Sequence, residues 1–188
     1  MPRVLIVYAT TDGQTRKIAA TLSGIFEHLG VHADVHHAKG ISAAIRPEDF
    51  DGVIVAASVH VGGYQRSVRR WVRAHAAALN RTPGAFLSVC LGVLEPAPGV
   101  QREVRAIAQR FLDGAGWLPT ITKPVAGALP YTRYNVLTRW VMRRIVAKGG
   151  GDTDTSRDYE YTDWDDLRTF ARQFASYVEV GHLVGGAG

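Results

Sequence analysis

Cysteine is almost missing from this chain: Cys90 is the single one in 188 residues. That excludes an internal disulfide framework and any cysteine-rich metal site, and it fits a reducing compartment. Long apolar runs are missing too. None approaches the roughly 18 residues that a membrane span needs. No charged leader with an apolar core precedes "RVLIVYA", so a soluble or peripheral protein is expected. The common phosphate motifs are also wanting. There is no G-x-x-x-x-G-K-S/T, and no G-x-G-x-x-G follows the first apolar run, which excludes a Walker loop and a dinucleotide fingerprint. The acidic cluster of a response regulator is absent, since the relevant runs end in Tyr8-Ala9 and Ala57-Ser58. Acidic side chains are the minority, 17 against 22 Lys and Arg, for a formal net charge of +5. An acidic substrate or an anionic membrane would match that charge. No aromatic stacking platform accompanies it, which argues against nucleic acid.

What is present alternates strand with helix. Val4-Leu5-Ile6-Val7, "GVIVAAS" (52–58) and "AFLSVCL" (85–91) are continuously apolar, as strands buried on both faces are. "HADVHH" alternates, with Ala33 and Val35 on one face and His32, Asp34 and His36 on the other. It reads as an edge strand with one wet face, which explains the three polar residues better than a metal site does. "TITKPVAGA" (120–128) reads as a further strand, interrupted or bulged near Pro124. Helical stripes occur at Ile18, Leu22, Ile25, Phe26 and Leu29; at Val68, Trp71, Val72, His75 and Leu79; at Val104, Ile107, Ala108 and Phe111; and at Leu167, Phe170, Ala171, Phe174 and Val178. Right-handed crossovers then give an α/β, doubly wound, five-stranded parallel sheet in the order 2-1-3-4-5. Ligands are expected at the carboxyl ends of strands 1, 3 and 4. The expected organisation is one domain over 1–180 with a long insertion, about 129–162, before the last helix, and a disordered tail over 181–188.

The first strand runs into "TTDGQT", residues 10–15. The amino end of a helix carries unpartnered N–H groups and the positive end of the helix dipole. A phosphate can bind there without a cationic side chain. Thr10, Thr11 and Thr15 offer hydroxyls, Gly13 lets the backbone approach, and Asp12 and Gln14 complete the turn. The plainer alternative is a turn capped by Thr11 or Asp12.

"TTDGQT" is similar to the S/T-x-T-G-x-T phosphate loop of flavodoxins, with Asp12 where Thr is usual. "DGQT", "AASVHVGGY" (56–64), "AGAL" (126–129), "GGDTDT" (150–155) and "YTDW" (161–164) together resemble the menaquinone-dependent protoporphyrinogen IX dehydrogenases. The resemblance covers about residues 3–178. It implies a flavodoxin-like fold, FMN as cofactor, a porphyrinogen substrate, a membrane quinone as acceptor and a place in haem biosynthesis. It leaves homo-oligomerisation open. The chain departs from the family pattern at His60-Val61 and in the prolines and Glu95 of "SVCLGVLEPAPG" (88–99), both beside the expected substrate face.

With a flavin phosphate on residues 10–15, the ring falls across the loops after strands 3 and 4. The first loop offers Ser58, Val59, His60, Gly62 and Tyr64. Tyr64 either stacks on the ring or packs at the start of the next helix. The second offers Ser88, Val89, Cys90, Leu91 and Gly92, with backbone N–H groups of the last three directed at the pyrimidine edge. Cys90 reads as a small buried residue rather than a nucleophile. No general base is obvious; His60 is the best placed, and histidine is the side chain type most suited to exchanging protons at physiological pH. Two other activities share the fold: a flavodoxin-type electron carrier, against which the basic charge argues, and an NAD(P)H-dependent quinone reductase.

The insertion contains "YTRYNVLTRWVMRRIVAKGG" (131–150), rich in cations and without an acid. Arg133, Arg139, Trp140, Arg143 and Arg144 are its candidate contacts with substrate carboxylates or an anionic membrane surface. A helix packed on the sheet edge with its arginines snorkelling is the plainer reading. Arg66, Arg69, Arg70 and Arg73 form a second cationic stripe, opposite a buried one. The expected location is cytoplasmic, peripheral on the inner face of the cell membrane.

Overall fold

The computed structural model of the chain describes residues 1–60, 62–129, 154 and 156–185. Five strands, β1 (Arg3–Ala9), β2 (His32–His37), β3 (Gly52–Ser58), β4 (Gly84–Cys90) and β5 (Ile121–Ala126), form one parallel sheet in the order β2-β1-β3-β4-β5. Among the described residues four helices cover it: α1 (Gln14–His28), α2 (Arg66–Leu79), α3 (Pro98–Ala115) and α4 (Trp164–Gly185).

The continuous apolar runs follow from two-sided burial. Val4, Ile6, Ile54, Ala56 and Leu87 lie in one core with Ile18, Leu22 and Phe26 of α1 and Leu167, Phe170, Phe174 and Val178 of α4. Their neighbours in sequence, Leu5, Val7, Val53, Val55 and Phe86, lie in the other core with Val68, Trp71 and Val72 of α2 and Phe111 of α3. Successive strand residues point to opposite faces, so a strand with helices on both sides must be apolar at every position. β2 is the edge, and there Ala33 is buried while Asp34 accepts from Arg3 at 2.7 Å and pairs with His32 at 3.1 Å. Among the described residues no group of three or more His, Cys, Asp or Glu could hold a metal.

Two expectations are corrected. β5 is not interrupted at Pro124, which pairs in register with Ser88. β5 is the other edge strand, where alternate N–H groups face away from the ladder and a proline is tolerated. The break comes at Gly127. Beyond it β6 (Ala128–Leu129) pairs antiparallel with β7 (Tyr159–Glu160). This short ladder joins the two ends of the insertion. Finally, α4 continues to Gly185, into the segment expected to be a disordered tail. The insertion residues Arg133, Arg139, Trp140, Arg143 and Arg144 lie outside the described residues. Among the described residues no helix is long and apolar enough to cross a membrane.

Candidate functional site

β1 ends at Ala9 and α1 begins at Gln14, so residues 10–13 turn the chain at the carboxyl edge of the sheet. Gly13 makes the turn with φ 96°, a left-handed conformation that suits glycine. The N-cap position of α1 is Gly13, and among the described residues no side-chain cap is seen there. Thr10 instead accepts from the N–H of Gly13 at 2.9 Å, which leaves its hydroxyl hydrogen to donate. Thr15, the second residue of the helix, is fully buried, and its Oγ1 has no hydrogen-bond partner among the described residues. Helical side chains lean toward the amino end, so this hydroxyl belongs to the same turn. A buried, unsatisfied hydroxyl costs roughly 1–3 kcal/mol. Here it lies beside uncapped helix N–H groups, where an anion would satisfy it. The turn therefore fits a phosphate.

The side chain of Gln14 is engaged outside the cradle. It turns outward, and its Nε2 donates to Glu160 Oε1 and Thr162 Oγ1, both at 2.9 Å. Lys17 pairs with Glu160 at 2.6 Å, and Thr162 donates to the carbonyl of Ala126 at 2.8 Å. Asp163, accepting from the N–H groups of Asp165 and Asp166, caps α4 and leaves Thr162 for this network. The root of the insertion is thus tied to the first turn of α1. Burial alone would raise the pKa of Glu160, but the bonds from Lys17 and Gln14 outweigh it and hold the carboxyl below its usual range. A depressed folded pKa stabilises above the unfolded value and is lost as pH falls through the folded one. Lys17→Met should therefore lose less stability than the parent between about pH 6 and about pH 3. The difference should stay under about 1 kcal/mol because the pair is largely exposed. Chemical denaturation of both proteins across that range checks it.

The loop after β3 is set by backbone bonds. Val59 donates to the carbonyl of Val89 at 2.8 Å. His60 and Gly63 exchange bonds of 2.8 and 3.2 Å across a turn in which Gly62 has φ 71°. His60 itself is exposed. Tyr64 does not stack outward. It is 6% exposed, lies edge-on to Phe86 and Phe111, and bonds Ser88 Oγ at 2.6 Å. Burial pushes its pKa up to about 12. Tyr64 and Ser88 satisfy each other on one face of the sheet, and Val89 is buried in the core on the opposite face, so these three side chains are turned into the fold.

After β4, Leu91–Leu94 form a short 3-10 turn. Burial raises the Cys90 thiol pKa, and the N–H groups of Val93 and Gly92 face its sulfur. Cys90 is therefore a neutral thiol near pH 7, which fits a packing residue better than a nucleophile. Gly92 sits so close to α3 that a Cβ would meet Val104 at 2.9 Å. Gln101 of α3 holds this loop from behind, its Nε2 within 3.2 Å of the carbonyls of Gly92 and Val93 and 2.6 Å from that of Glu95.

Sequence reasoning missed Gln65 and Gln101. Gln65 donates to Thr11 Oγ1 at 3.1 Å and to Ser58 Oγ at 2.9 Å, joining the phosphate turn to the end of β3. Its position was the available signal. It occupies the N-cap of α2, where Ser, Thr, Asp or Asn is usual, without capping the helix.

A 2-1-3-4-5 parallel sheet with a turn after β1 that fits an anion is the arrangement of a protein of the flavodoxin type. A flavodoxin-domain family model matches residues 5–156. Protoporphyrinogen IX dehydrogenase (quinone) of Escherichia coli strain K12 is 36% identical over 177 residues, 94% of this chain and 97% of the relative. The enzyme of that name from Leishmania major is 31% identical over 176 residues, 93% of this chain and 75% of the relative. The chain belongs to the flavodoxin-domain family and, within it, to the family of the protoporphyrinogen IX dehydrogenases (quinone). Oxidised flavodoxin 1 of Bacillus cereus shares the fold at TM-score 0.56 and 15% identity, over 93% of this chain and 97% of that one. The NAD(P)H:(acceptor) oxidoreductase FerB of Paracoccus denitrificans does so at 0.53 and 14%, over 96% and 99%.

Proposed function

We propose that this chain is an FMN-dependent oxidoreductase that converts protoporphyrinogen IX to protoporphyrin IX and delivers the electrons to a quinone. The observation that carries the reading is the cradle at residues 10–15, with an uncapped helix start and a sealed, unpartnered Thr15 hydroxyl. The printed names of the two relatives supply the donor and the acceptor.

FMN, when bound, supplies a two-electron acceptor that takes a hydride from the donor and passes the pair on. Thr10, Thr11, Thr15 and the helix N–H groups would hold its phosphate. The loop at Cys90–Gly92, braced by Gln101, would lie along its ring. His60, exposed on the loop after β3, is the proposed proton acceptor. Six electrons and six protons leave the porphyrinogen, so three quinones become three quinols per porphyrin formed. Because such a quinone is dissolved in the bilayer, the reading places the protein peripherally on the cytoplasmic face of a membrane. The exposed stripe of Arg66, Arg69, Arg70 and Arg73 on α2 supports that placement.

The test is anaerobic mixing of flavin-loaded protein with protoporphyrinogen IX. The flavin colour should bleach, and a quinone should restore it. Bleaching by NADPH and not by the porphyrinogen would overturn the reading in favour of a nicotinamide-dependent reductase.

A further inference from the structure

The Gln65 amide is bonded at one end only. Its Nε2 donates to Thr11 and Ser58, and its Oε1 is buried with no hydrogen-bond partner among the described residues. Buried amide carbonyls are nearly always paired. The two partners are hydroxyls that can donate or accept, so turning the amide over would only move the vacancy to the nitrogen. One polar atom of Gln65 stays unsatisfied either way, and a hydroxyl group, as donor and acceptor, could serve it in both orientations.

Its position says which hydroxyl. Thr11 belongs to the turn that fits a phosphate, and Ser58 ends β3, where the loop proposed to meet the ring begins. In FMN a polyhydroxylated chain joins phosphate to ring. A residue that ties these two segments together lies beside that chain.

We propose that Gln65 is the polyol-binding residue of the site, its unpaired amide oxygen accepting from a hydroxyl of the chain between phosphate and ring. The inference rests on the FMN reading and deepens it. It also explains why α2 begins without a cap: the side chain at its N-cap position is turned to Thr11 and Ser58 instead of to the helix.

The experiment measures the affinity of the flavin-free full chain for FMN and for an analogue whose polyol is replaced by an unsubstituted five-carbon chain carrying the same ring and phosphate. The parent should prefer FMN roughly ten-fold or more. In Gln65→Met, of similar length and without the amide, that preference should shrink by roughly ten-fold, through weaker FMN binding at unchanged analogue binding. Equal binding of the two ligands by the parent overturns the proposal without any variant. An equal loss for both ligands in Gln65→Met also overturns it, because a merely structural tie would weaken both. If the parent binds neither ligand, the FMN reading falls and the inference with it, an outcome distinct from the other two. The melting temperature of the flavin-free variant separates misfolding from a lost contact. It should stay close to the parent's, since the two amide hydrogen bonds lost and the buried unsatisfied carbonyl removed offset each other.

Discussion

Thr15→Val should bind FMN about 10- to 100-fold more weakly than the parent, yet unfold at the same temperature or higher without it. The two halves have one cause. Valine has nearly the shape of threonine and the same branched β-carbon, so the packing of the second residue of α1 is kept. In the flavin-free protein the Oγ1 is buried and has no partner among the described residues. Replacing it by a methyl removes a desolvation cost of roughly 1–3 kcal/mol. With a phosphate in the turn, the same hydroxyl is a donor to a charged oxygen, worth about 1.5–3 kcal/mol. Most interactions that help a ligand also help the fold, or do nothing for it. Opposite signs at one atom are expected only when the hydroxyl is held for something that is not part of the chain. Fluorescence quenching of FMN and thermal melting of the flavin-free protein read the two signs separately. A variant that melts lower than the parent, or that binds FMN as well as it does, would remove the phosphate from this turn.

The fold was legible wherever burial is two-sided and periodic. Val4–Val7, Val53–Ala57 and Ala85–Val89 each sit between two helical layers, and nothing but a continuous apolar run satisfies that environment. The stripe of α4 was legible for the same reason: all five of its residues are 0–3% exposed. What escaped was non-local or aperiodic. Leu129 and Tyr159 are register partners, but thirty positions apart in the sequence they carry no pattern that predicts a two-residue ladder. Gln65 and Gln101 act through single amide groups, which leave no trace in hydrophobic periodicity. Tyr64 was recoverable. It stands four residues before Val68, seven before Trp71 and eight before Val72, and so continues the apolar stripe of α2 by one turn. Read that way, its place between Phe86 and Phe111 follows, and the alternative of a ring-stacking role gives way to packing. At the phosphate turn the residue types were legible, whereas their individual orientations were not. Gln14 points to Glu160 and Thr162 because the hairpin formed by β6 and β7 lies there to receive it.

Phe174→Ala should destabilise the protein by about 3–5 kcal/mol, a large part of the roughly 5–15 kcal/mol that holds a typical domain folded. Phe174 is fully buried, lies edge-on to Phe26 of α1 with ring centroids 6.2 Å apart, and stacks on Phe170 at 5.9 Å. Gly52 lies directly beneath. A Cβ there would meet Phe174 at 3.1 Å and Val178 at 2.5 Å, so this part of α4 is packed against bare backbone and little can move in to fill the void left by the ring. Gly52 is the first residue of β3 and Ser58 the last. At about 3.3 Å per residue the damage falls at the opposite end of the strand from the ligand loops, roughly 20 Å away. Phe174→Ala should therefore lower the denaturation midpoint steeply while the folded fraction binds FMN with parental affinity at low temperature. Thr15→Val should do the reverse. Denaturant titrations and flavin binding on the two single variants and the double variant test this independence. The two changes should add within about 0.5 kcal/mol in stability, and the affinity of the double variant should equal that of Thr15→Val alone. A coupled result would mean that the α4 core and the phosphate turn form one mechanical unit, with the network of Lys17, Glu160 and Thr162 as its physical link.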